Sequence, residues 1–539
     1  MKDGNNDRAR SFLVSEEGSL VVFGIFLFAV MLIAGGIGVD ILRHDSERLR
    51  MQSTLDQAVL SAANLEQLAE PEAVVRDYFS KAGLLSRLGD VSVVESINSR
   101  LVSATATADV NTMFLRAVGI DTLKAATASA AREDVRDVEV SVVLDISGSM
   151  GGNNRMTYLR TAAKDFVTAV LSGRTEGKQG DISVSLVPYQ TEVNAGRPML
   201  NRFKLSVPHD YSNCVDFLPQ DYQTTAVDFT KTRPQSGHYD PYADGRSGTS
   251  IAEHRPRAAI PCRSDGEIVY LSENEALLHA RIDALKPGGG TSIDAGVKWG
   301  TALLDPSLRP AITALANSGH IDKKFSGRPY DYGEDNRMKV LVIMTDGENF
   351  STEDLKPEYN GTALSDIWLW RDPNGGSGDS ALRISVEDTE KGDRDQDGVS
   401  NEKWYIPSLR RWEQAPIGGT NARQLTWREV WSIVSVDWHA YYYRYLQNND
   451  TNEYNLWHTQ IYDPLSAATK NIRLERMCSE AKAKGILVFS IAMDISESYA
   501  TRMQNCASSA NNYFNVKGQK IDYAFAAISN AINQLRLVE

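Results

Sequence analysis

Three polar residues at alternate positions form the strongest candidate for chemistry in this chain. Asp145, Ser147 and Ser149 are each separated by one residue, and Gly148 lies between the two serines. This spacing places one carboxylate and two hydroxyls around a single turn, where the glycine lets the backbone curl tightly. A donor set made only of oxygen suits a hard divalent cation such as Mg²⁺. The same short motif also occurs as an ordinary Asx turn, so it does not establish a metal site alone.

Two later segments offer ligands of the same kind. Thr291 follows three glycines and precedes a helical pattern, so its hydroxyl lies on a flexible loop. Asp346 follows a buried-type strand and offers a second carboxylate. The candidate metal ligands are therefore Asp145, Ser147, Ser149, Thr291 and Asp346.

The elements that must position these ligands are predicted to be buried strands that alternate with helices. Continuous apolar runs, typical of parallel strands, are VEVSVVL at 138, ISVSLVPY at 182, MKVLVIMT at 338 and GILVFSIAM at 485. Helical patterns cover Met156–Leu171, Glu273–Leu285, Ile293–Leu304, Ile472–Lys484 and Ile521–Leu535. This alternation predicts an α/β fold with a doubly wound, mainly parallel sheet and helices on both faces. Since ligands bind at the carboxyl ends of such strands, the five candidates should meet at one edge of the sheet.

This arrangement resembles the von Willebrand factor A domain, a Rossmann-like domain. Its metal-ion-dependent adhesion site (MIDAS) has Asp-x-Ser-x-Ser, a Thr and an Asp in the same chain order. The resemblance implies that Ser147 and Ser149 bind Mg²⁺ or Mn²⁺ directly, and Thr291 directly or through water. Asp145 and Asp346 act mostly through water. Because the direct ligands are largely neutral, the ion accepts a carboxylate from a protein partner, which implies adhesion without catalysis.

An enzyme is the remote alternative. The segment around Ser149 loosely matches the nucleophile elbow of serine hydrolases, with its first glycine replaced. Such an enzyme also needs an acid and a histidine, for which His439 or His458 are the candidates. Neither histidine follows a buried strand, so we predict that the protein is not an enzyme.

Two long stretches, residues 191–272 and 350–470, interrupt the alternation of strands and helices. Structureless loops of this length are rare inside compact domains, so we interpret both as structured insertions. The second holds eight of the nine tryptophans, between Trp368 and Trp457. These aromatic side chains form either the insertion's own core, which we favour, or a recognition surface.

The second insertion also contains the start of a calcium-loop pattern. Asp393, Asp395 and Asp397 alternate, and a glycine follows at the sixth position. The twelfth position is Trp404 where Glu is expected, and Glu402 precedes it by two residues. A second site that binds Ca²⁺ and a plain acidic turn both remain open here.

Charge and cysteine content exclude some classes of protein. The 539 residues include 57 Lys and Arg against 70 Asp and Glu, giving a net charge of -13 and no basic stripe. Nucleic-acid binding depends on clustered basic residues and is therefore not expected. The four cysteines contain no C-x-x-C pair, which argues against a zinc ribbon. They fit either two disulfides in an oxidising compartment or four buried thiols in a reducing one.

One uncharged apolar stretch, Gly18–Val39, is long enough to cross a bilayer. A cleaved signal peptide is the alternative, but its apolar core is usually about 7–15 residues long. We therefore predict a retained single-pass anchor with a short cytoplasmic head. The basic residues on the two sides of the span leave its orientation nearly undecided. The cytoplasmic side is favoured for the head because the head is short and the body is large.

The N-terminal region carries a second resemblance. The segment EEGS at 16, the span ending in Gly38-Val39-Asp40 and the segment LDQAVLSAA at 55 are similar to TadE/TadG-like proteins of Flp (tight-adherence) pilus assembly. Joined to a stalk and an A domain, this anchor resembles TadG in particular. The resemblance implies a bacterial inner-membrane anchor, a periplasmic body and a partner from the pilus or its machinery. It also implies the disulfides Cys478–Cys506 and Cys214–Cys262.

The expected organisation has four parts: a head over residues 1–17, a transmembrane helix over 18–40, a TadE/TadG-like helix and α+β stalk over 41–136, and an A domain with its two insertions over 137–539. A structural envelope scaffold whose metal ion only stabilises the fold fits the same sequence. The partner's identity, the roles of the insertions and the oligomeric state do not follow from it.

Overall fold

The computed structural model describes residues 17–64, 67, 69–96, 99–135, 137–172, 181–206, 208–236, 246–255, 262–334, 337–392 and 400–538. The chain forms two compact units. The first comprises the N-terminal part to Val135 and the end of the chain, and the second comprises most of Arg136–Arg536.

The first unit is a long helix whose second half packs on an antiparallel sheet. Its elements are α1 (Glu17–Ala63), α2 (Pro71–Lys81), β1 (Leu88–Ser96), β2 (Ser99–Asn111) and β3 (Thr122–Val135). Met51, Leu55 and Val59 of α1 lie in its hydrophobic core. The large apolar side chains between Leu20 and Ile33 are exposed. By length and composition, α1 is the one helix of the described residues that can cross a membrane.

The second unit is built on a six-stranded sheet. Before the second insertion its elements are β4 (Asp137–Asp145), α3 (Arg155–Ser172), β5 (Ile182–Tyr189), α4 (Gly196–Leu200), β6 (Lys204–Leu205), β7 (Thr232–Arg233), α5 (Ile251–His254), β8 (Val269–Ser272), α6 (Glu275–Ala284), α7 (Ile293–Ala302), α8 (Arg309–Asn317) and β9 (Arg337–Thr345).

The second insertion and the segments after it complete this unit. The insertion contains β10 (Thr352–Leu355), β11 (Leu364–Arg371), β12 (Leu382–Gly392), β13 (Glu402–Ile406), β14 (Arg411–Glu413), β15 (Arg423–Thr426), α9 (Trp427–Trp431), α10 (Val436–Trp438), a π-helix (His439–Tyr445), α11 (Leu446–Asn448), α12 (Thr451–Thr459) and β16 (Tyr462–Leu465). After it come α13 (Ala467–Ala483), β17 (Leu487–Met493), α14 (Glu497–Cys506), β18 (Tyr513–Val516) and α15 (Ile521–Arg536).

The main sheet has the order β18-β17-β9-β4-β5-β8, with every pair parallel except β5 and β8. Along β4, Val140 and Val142 join one hydrophobic cluster with α3, α6 and α15. Val143 joins a second cluster, with α7, α8, α13 and α14. Helices therefore cover both faces, which explains why these strands are continuously apolar. The carboxyl ends of β5, β4 and β9 lie side by side.

The two disulfide bonds are Cys214–Cys262 and Cys478–Cys506, the pairs that the TadG resemblance implies. The first closes a loop within the first insertion. The second joins α13 to the end of α14, on either side of β17 in the sequence. Bridges of this kind typically stabilise a fold by about 2–4 kcal/mol.

Residues 350–470, interpreted as the second insertion, form a separate hydrophobic core that Ile251 also joins. Its sheet has the order β14-β13-β12-β11-β15 and is antiparallel throughout. Trp427, Trp431 and Trp438 are buried there with Tyr405 and Tyr443. Most of the aromatic residues that distinguish this segment in the sequence therefore serve its internal packing.

A buried histidine in this core lies beside a positive charge. His439 Nε2 is 3.2 Å from Arg444 Nη2, and the Arg444 guanidinium donates two hydrogen bonds to Asp366. Burial, and then the charge of Arg444, hold the pKa of His439 well below its usual value of 6.5.

Acid should therefore destabilise this insertion. Because the pKa of His439 is lower in the folded state, the unfolded chain binds more protons below about pH 6.5, and the free energy of unfolding falls as the pH drops below that value. In His439→Leu, the free energy of unfolding of the insertion should depend less on pH than in the natural protein. Hydrogen exchange of its peptides, corrected for the intrinsic pH dependence of exchange, measures this free energy. His320→Leu, at an exposed histidine, is the matched control. An unchanged pH dependence in His439→Leu would contradict this explanation.

The end of the chain differs from expectation. The A domain was expected to extend to residue 539, but Leu537 and Val538 form β19, which pairs antiparallel with β3. The last strand therefore belongs to the first unit. A two-residue strand has no pattern of its own, so this pairing is not visible in the sequence.

Candidate metal site

Asp145 lies at the carboxyl end of β4 and is fully buried. Its Oδ1 accepts a hydrogen bond from the Ser147 backbone N–H at 2.8 Å. Its Oδ2 accepts from Thr345 Oγ1 at 2.8 Å and from Tyr189 Oη at 3.1 Å. The ends of three adjacent strands thus fix this carboxylate. With both oxygens engaged, it is suited to orient ligands around an ion.

Ser147, Ser149 and Asp346 form a chain of oxygen contacts. Ser147 Oγ is 2.9 Å from Ser149 Oγ, and Ser149 Oγ donates to Asp346 Oδ1 at 2.6 Å. Ser149 lies in a short 3-10 turn, Gly148–Gly151, that directly follows Ser147. The turn brings the two hydroxyls together at the same edge as the Asp346 carboxylate, which follows β9.

Thr291 reaches the same place from the loop before α7. A Cβ atom added to Gly347 would lie 3.6 Å from Ser149 Oγ and 3.8 Å from Thr291 Oγ1, so both hydroxyls border one small space. The Thr291 carbonyl accepts from the Phe350 backbone N–H at 2.8 Å. The structure therefore brings all five sequence-predicted residues to one edge of the sheet.

Residues at the borders of the two insertions hold this loop. Ser292 Oγ donates to the Thr191 carbonyl at 2.7 Å and accepts from Lys470 Nζ at 2.7 Å. Asn349 Oδ1 accepts from the Ile293 backbone N–H at 2.7 Å. Gly289 lies at φ +76°, and a Cβ there would overlap the Gln190 side chain. Both insertions thus begin at the candidate site.

Arg155 also contacts the site, although no sequence pattern distinguishes this residue. Its Nη1 is 2.9 Å from Asp346 Oδ2, and its Nε is 3.3 Å from Asp494 Oδ2. The sequence pattern near residue 155 predicts only the start of an amphipathic helix. Asp494 is far from Arg155 in the sequence, so their contact cannot be predicted from spacing. Their proximity depends on the parallel order of β17, β9 and β4.

The environment of the site raises the proton affinity of both carboxylates. Burial raises the pKa of Asp145. Burial, and then the negative charge of Asp145, raise the pKa of Asp346 to about 6, against the opposing effects of Ser149 and Arg155. A cation between the hydroxyls and these carboxylates relieves that repulsion.

The donor set fits a hard divalent cation. It consists of three hydroxyls and two carboxylates that converge on one space, as Mg²⁺ or Mn²⁺ sites require. In the part of the chain that the structure describes, no three His, Cys, Asp or Glu residues cluster as metal ligands. A site built mainly on Ser and Thr hydroxyls does not require such a cluster.

An acidic cavity of about 220 Å³ adjoins this loop. Its lining includes Glu192, Asp294 and Asp354, together with Asp216, whose pKa is raised to about 7 by burial and then by the charge of Asp354. Lys470 and Arg473 offset part of this charge. The cavity therefore places negative charge beside the loop that carries Thr291.

The two histidines considered for a serine hydrolase lie outside this site. His439 is in the core of the second insertion, and His458 stacks on Tyr454 and lies 3.7 Å from Asp437. The neighbours of Ser149 Oγ are Ser147 and Asp346. Asp393, Asp395 and Asp397 lie outside the described residues, and Glu402 is buried at the start of β13. The calcium loop therefore stays a prediction.

Comparison with known proteins gives one family match, at the N-terminus. The profile of the Tad family, described as Flp pilus-assembly TadE/G-like, matches residues 18–65. The anchor region of this chain is thus similar to TadE/G-like pilus-assembly proteins. No curated protein matches the chain.

Several solved structures are similar at low identity. One is the vWF domain of the type V pili tip protein Mfa5 from Porphyromonas gingivalis, at 13% identity and a TM-score of 0.32, covering 75% of this chain and 98% of that one. Another is the pilus adhesin SpaC from Lactobacillus rhamnosus GG, at 13% identity and 0.30, covering 84% and 36%. A third is proximal thread matrix protein 1 from the mussel byssus, with zinc in its MIDAS motif, at 11% identity and 0.26, covering 75% and 46%.

Proposed function

We propose that this chain is a membrane-anchored, TadG-like protein of Flp pilus assembly that binds a protein partner through a metal-ion-dependent adhesion site. The observation that carries the proposal is the convergence of five oxygen-bearing residues at the carboxyl ends of β4 and β9 and on the loop before α7. Ser147, Ser149 and Thr291 hold Mg²⁺ or Mn²⁺. Asp145 and Asp346 act mostly through water.

A divalent ion bound there supplies a coordination position for a carboxylate of the partner. The chain's own residues prepare that position. Asp145 keeps the Ser147 turn in place through the hydrogen bond at 2.8 Å. Arg155 neutralises Asp346 through Oδ2, while Oδ1 accepts the hydrogen bond from Ser149. Because the three hydroxyl ligands are neutral, much of the ion's charge remains for the partner. No bond is broken, so the protein is not an enzyme.

The anchor and the disulfides support the location. The Tad match covers residues 18–65, which include nearly all of α1. The head lies in the cytoplasm, α1 crosses the bacterial inner membrane once, and the body is periplasmic. Two disulfides in the body suit that oxidising compartment. The partner is a pilus subunit or a protein of the pilus machinery.

Ser149→Ala tests the proposal. The full chain in detergent should bind Mn²⁺, as measured by calorimetry, and should capture a carboxylate-bearing partner from bacterial envelopes only without chelator. Ser149→Ala should lose both activities because a ligand of the ion is removed. Ser498→Ala changes an exposed serine beyond β17 and should retain both.

Two outcomes contradict this function. If chelator lowers the melting temperature but leaves partner capture unchanged, the ion only stabilises a structural scaffold. If a fluorophosphonate probe forms an adduct with Ser149, the protein is a serine hydrolase.

A further inference from the structure

The loop between β2 and β3, residues 112–121, exposes an unusual number of apolar side chains. Met113, Phe114, Val118 and Ile120 are 67%, 39%, 56% and 43% exposed. We call this segment the collar loop. Four large apolar groups on one short loop are costly in water and mark a surface that is covered in use.

The collar loop is fixed to α1 at the end of the apolar stretch. Asp40 is 1% exposed, and its carboxylate accepts hydrogen bonds from the backbone N–H groups of Met113 at 2.9 Å, Phe114 at 2.7 Å and Leu115 at 2.8 Å. These bonds compensate the buried charge of Asp40, and together they fix the orientation of the loop relative to the helix.

Phe114 extends along α1 into the apolar stretch itself. A Cβ on Gly36 would overlap the Phe114 ring, so the ring packs directly on that glycine. Gly36 precedes the end of the stretch at Val39 by three residues, or about 4.5 Å along the helix axis. The apolar surface also continues on α1 beyond the stretch, at Ile41 and Leu42, which are exposed.

Two basic side chains lie beside this apolar surface in the chain. Arg43 Nη1 approaches the Asn111 carbonyl at 3.5 Å. Arg116, an exposed side chain on the collar loop, lies 3.1 Å from Asp121. Apolar groups on one side and basic groups beside them are the pattern of segments that lie in the membrane interface.

We propose that the collar loop is a membrane-docking element that lies in the headgroup region of the same phospholipid bilayer that α1 crosses. Met113, Phe114, Val118 and Ile120 reach the acyl chains. The position of the collar loop indicates that lipid covers it. Phe114 contacts α1 within the apolar stretch, which is surrounded by lipid when α1 crosses the bilayer. The loop thereby fixes the angle at which the first unit leaves the membrane. This inference rests on the proposed membrane anchor.

Site-directed spin labelling of the full chain in phosphatidylcholine nanodiscs tests the inference. Val118→Cys and Met113→Cys each carry a nitroxide, and accessibility to oxygen and to an aqueous nickel chelate is measured. We expect both labels at a depth of about 5–10 Å below the phosphates, with loss of most collisions with the chelate. Val94→Cys, also an exposed valine of this unit, lies at the far end of the β1–β2 hairpin and should stay fully accessible to the chelate.

Phe28→Cys, in the apolar half of α1, separates the two proposals. If its label is inaccessible to the chelate while both collar labels match Val94, the anchor stands and the collar proposal is wrong. If the Phe28 label is itself accessible to the chelate, the membrane anchor fails. Collar labels shielded from both oxygen and chelate would place a second copy of the chain on this surface and also overturn the inference.

Discussion

Asp346→Asn is expected to weaken Mn²⁺ and Mg²⁺ binding by about 10- to 100-fold, the usual effect of removing a group that orients metal ligands. The Asp346 carboxylate accepts the Ser149 hydroxyl at 2.6 Å, so it fixes the direction of a proposed ligand. It also supplies negative charge to a site whose direct ligands are largely neutral. Calorimetry at about pH 8 measures the loss, because the Asp346 carboxyl is then ionised in the natural protein.

Asp494→Asn is the matched control for that experiment. Both carboxylates contact the same arginine, Arg155, but Asp494 is not one of the five site residues. The substitution is isosteric in both cases and keeps a residue type that tolerates the positive φ of Asp494. Metal affinity should be nearly unchanged in Asp494→Asn. Equal losses in the two variants would show that Arg155, and not the carboxylate, controls the site.

Lys339→Met is expected to destabilise the main sheet by about 3–5 kcal/mol, because it leaves a buried carboxylate without its cation. Lys339 Nζ is 2.5 Å from Glu139 Oε2, and the two side chains are 6% and 3% exposed. Glu139 also accepts from the Tyr330 backbone N–H at 3.1 Å, and Lys339 donates to the Leu304 carbonyl at 2.8 Å. Hydrogen exchange of peptides from β4 and β9 measures the local free energy of unfolding.

The double variant Glu139→Gln, Lys339→Met tests the cause. Gln retains an acceptor for Tyr330 and carries no charge, so the double variant should recover most of the stability lost in Lys339→Met. If the double variant is no more stable than Lys339→Met alone, the loss comes from side-chain packing and the uncompensated charge is not responsible.

The sequence predicts the central strands closely. ISVSLVPY is β5 residue for residue, and the run at 338 falls within β9. Strands buried on both faces must be continuously apolar, so each can be recognised from its own short segment of sequence. The edge strands β8 and β18 have four residues each and were not predicted. Helix α13 begins at Ala467, earlier than its apolar pattern, because Ser466 caps it by accepting from the Thr469 backbone N–H.

Charged residues inside apolar strands show the limit of sequence interpretation. Glu139 and Lys339 occur singly in two apolar runs separated by the whole first insertion. Parallel pairing of β4 with β9 places them directly opposite each other. Register is set by long-range packing, so the sequence shows two unexplained charges where the fold has one ion pair.

By itself, the sequence determined which oxygen-bearing residues are available and which lie within one turn, because bond geometry fixes short spacings. Asp145, Ser147 and Ser149 are such a set. Only the tertiary structure decided that Arg155 contacts Asp346, that Lys470 holds the Thr291 loop, and that Phe114 packs on Gly36 of α1. Each of these contacts joins residues far apart in the chain. Such pairs are selected by sheet order and by the packing of one element on another, which no local spacing specifies.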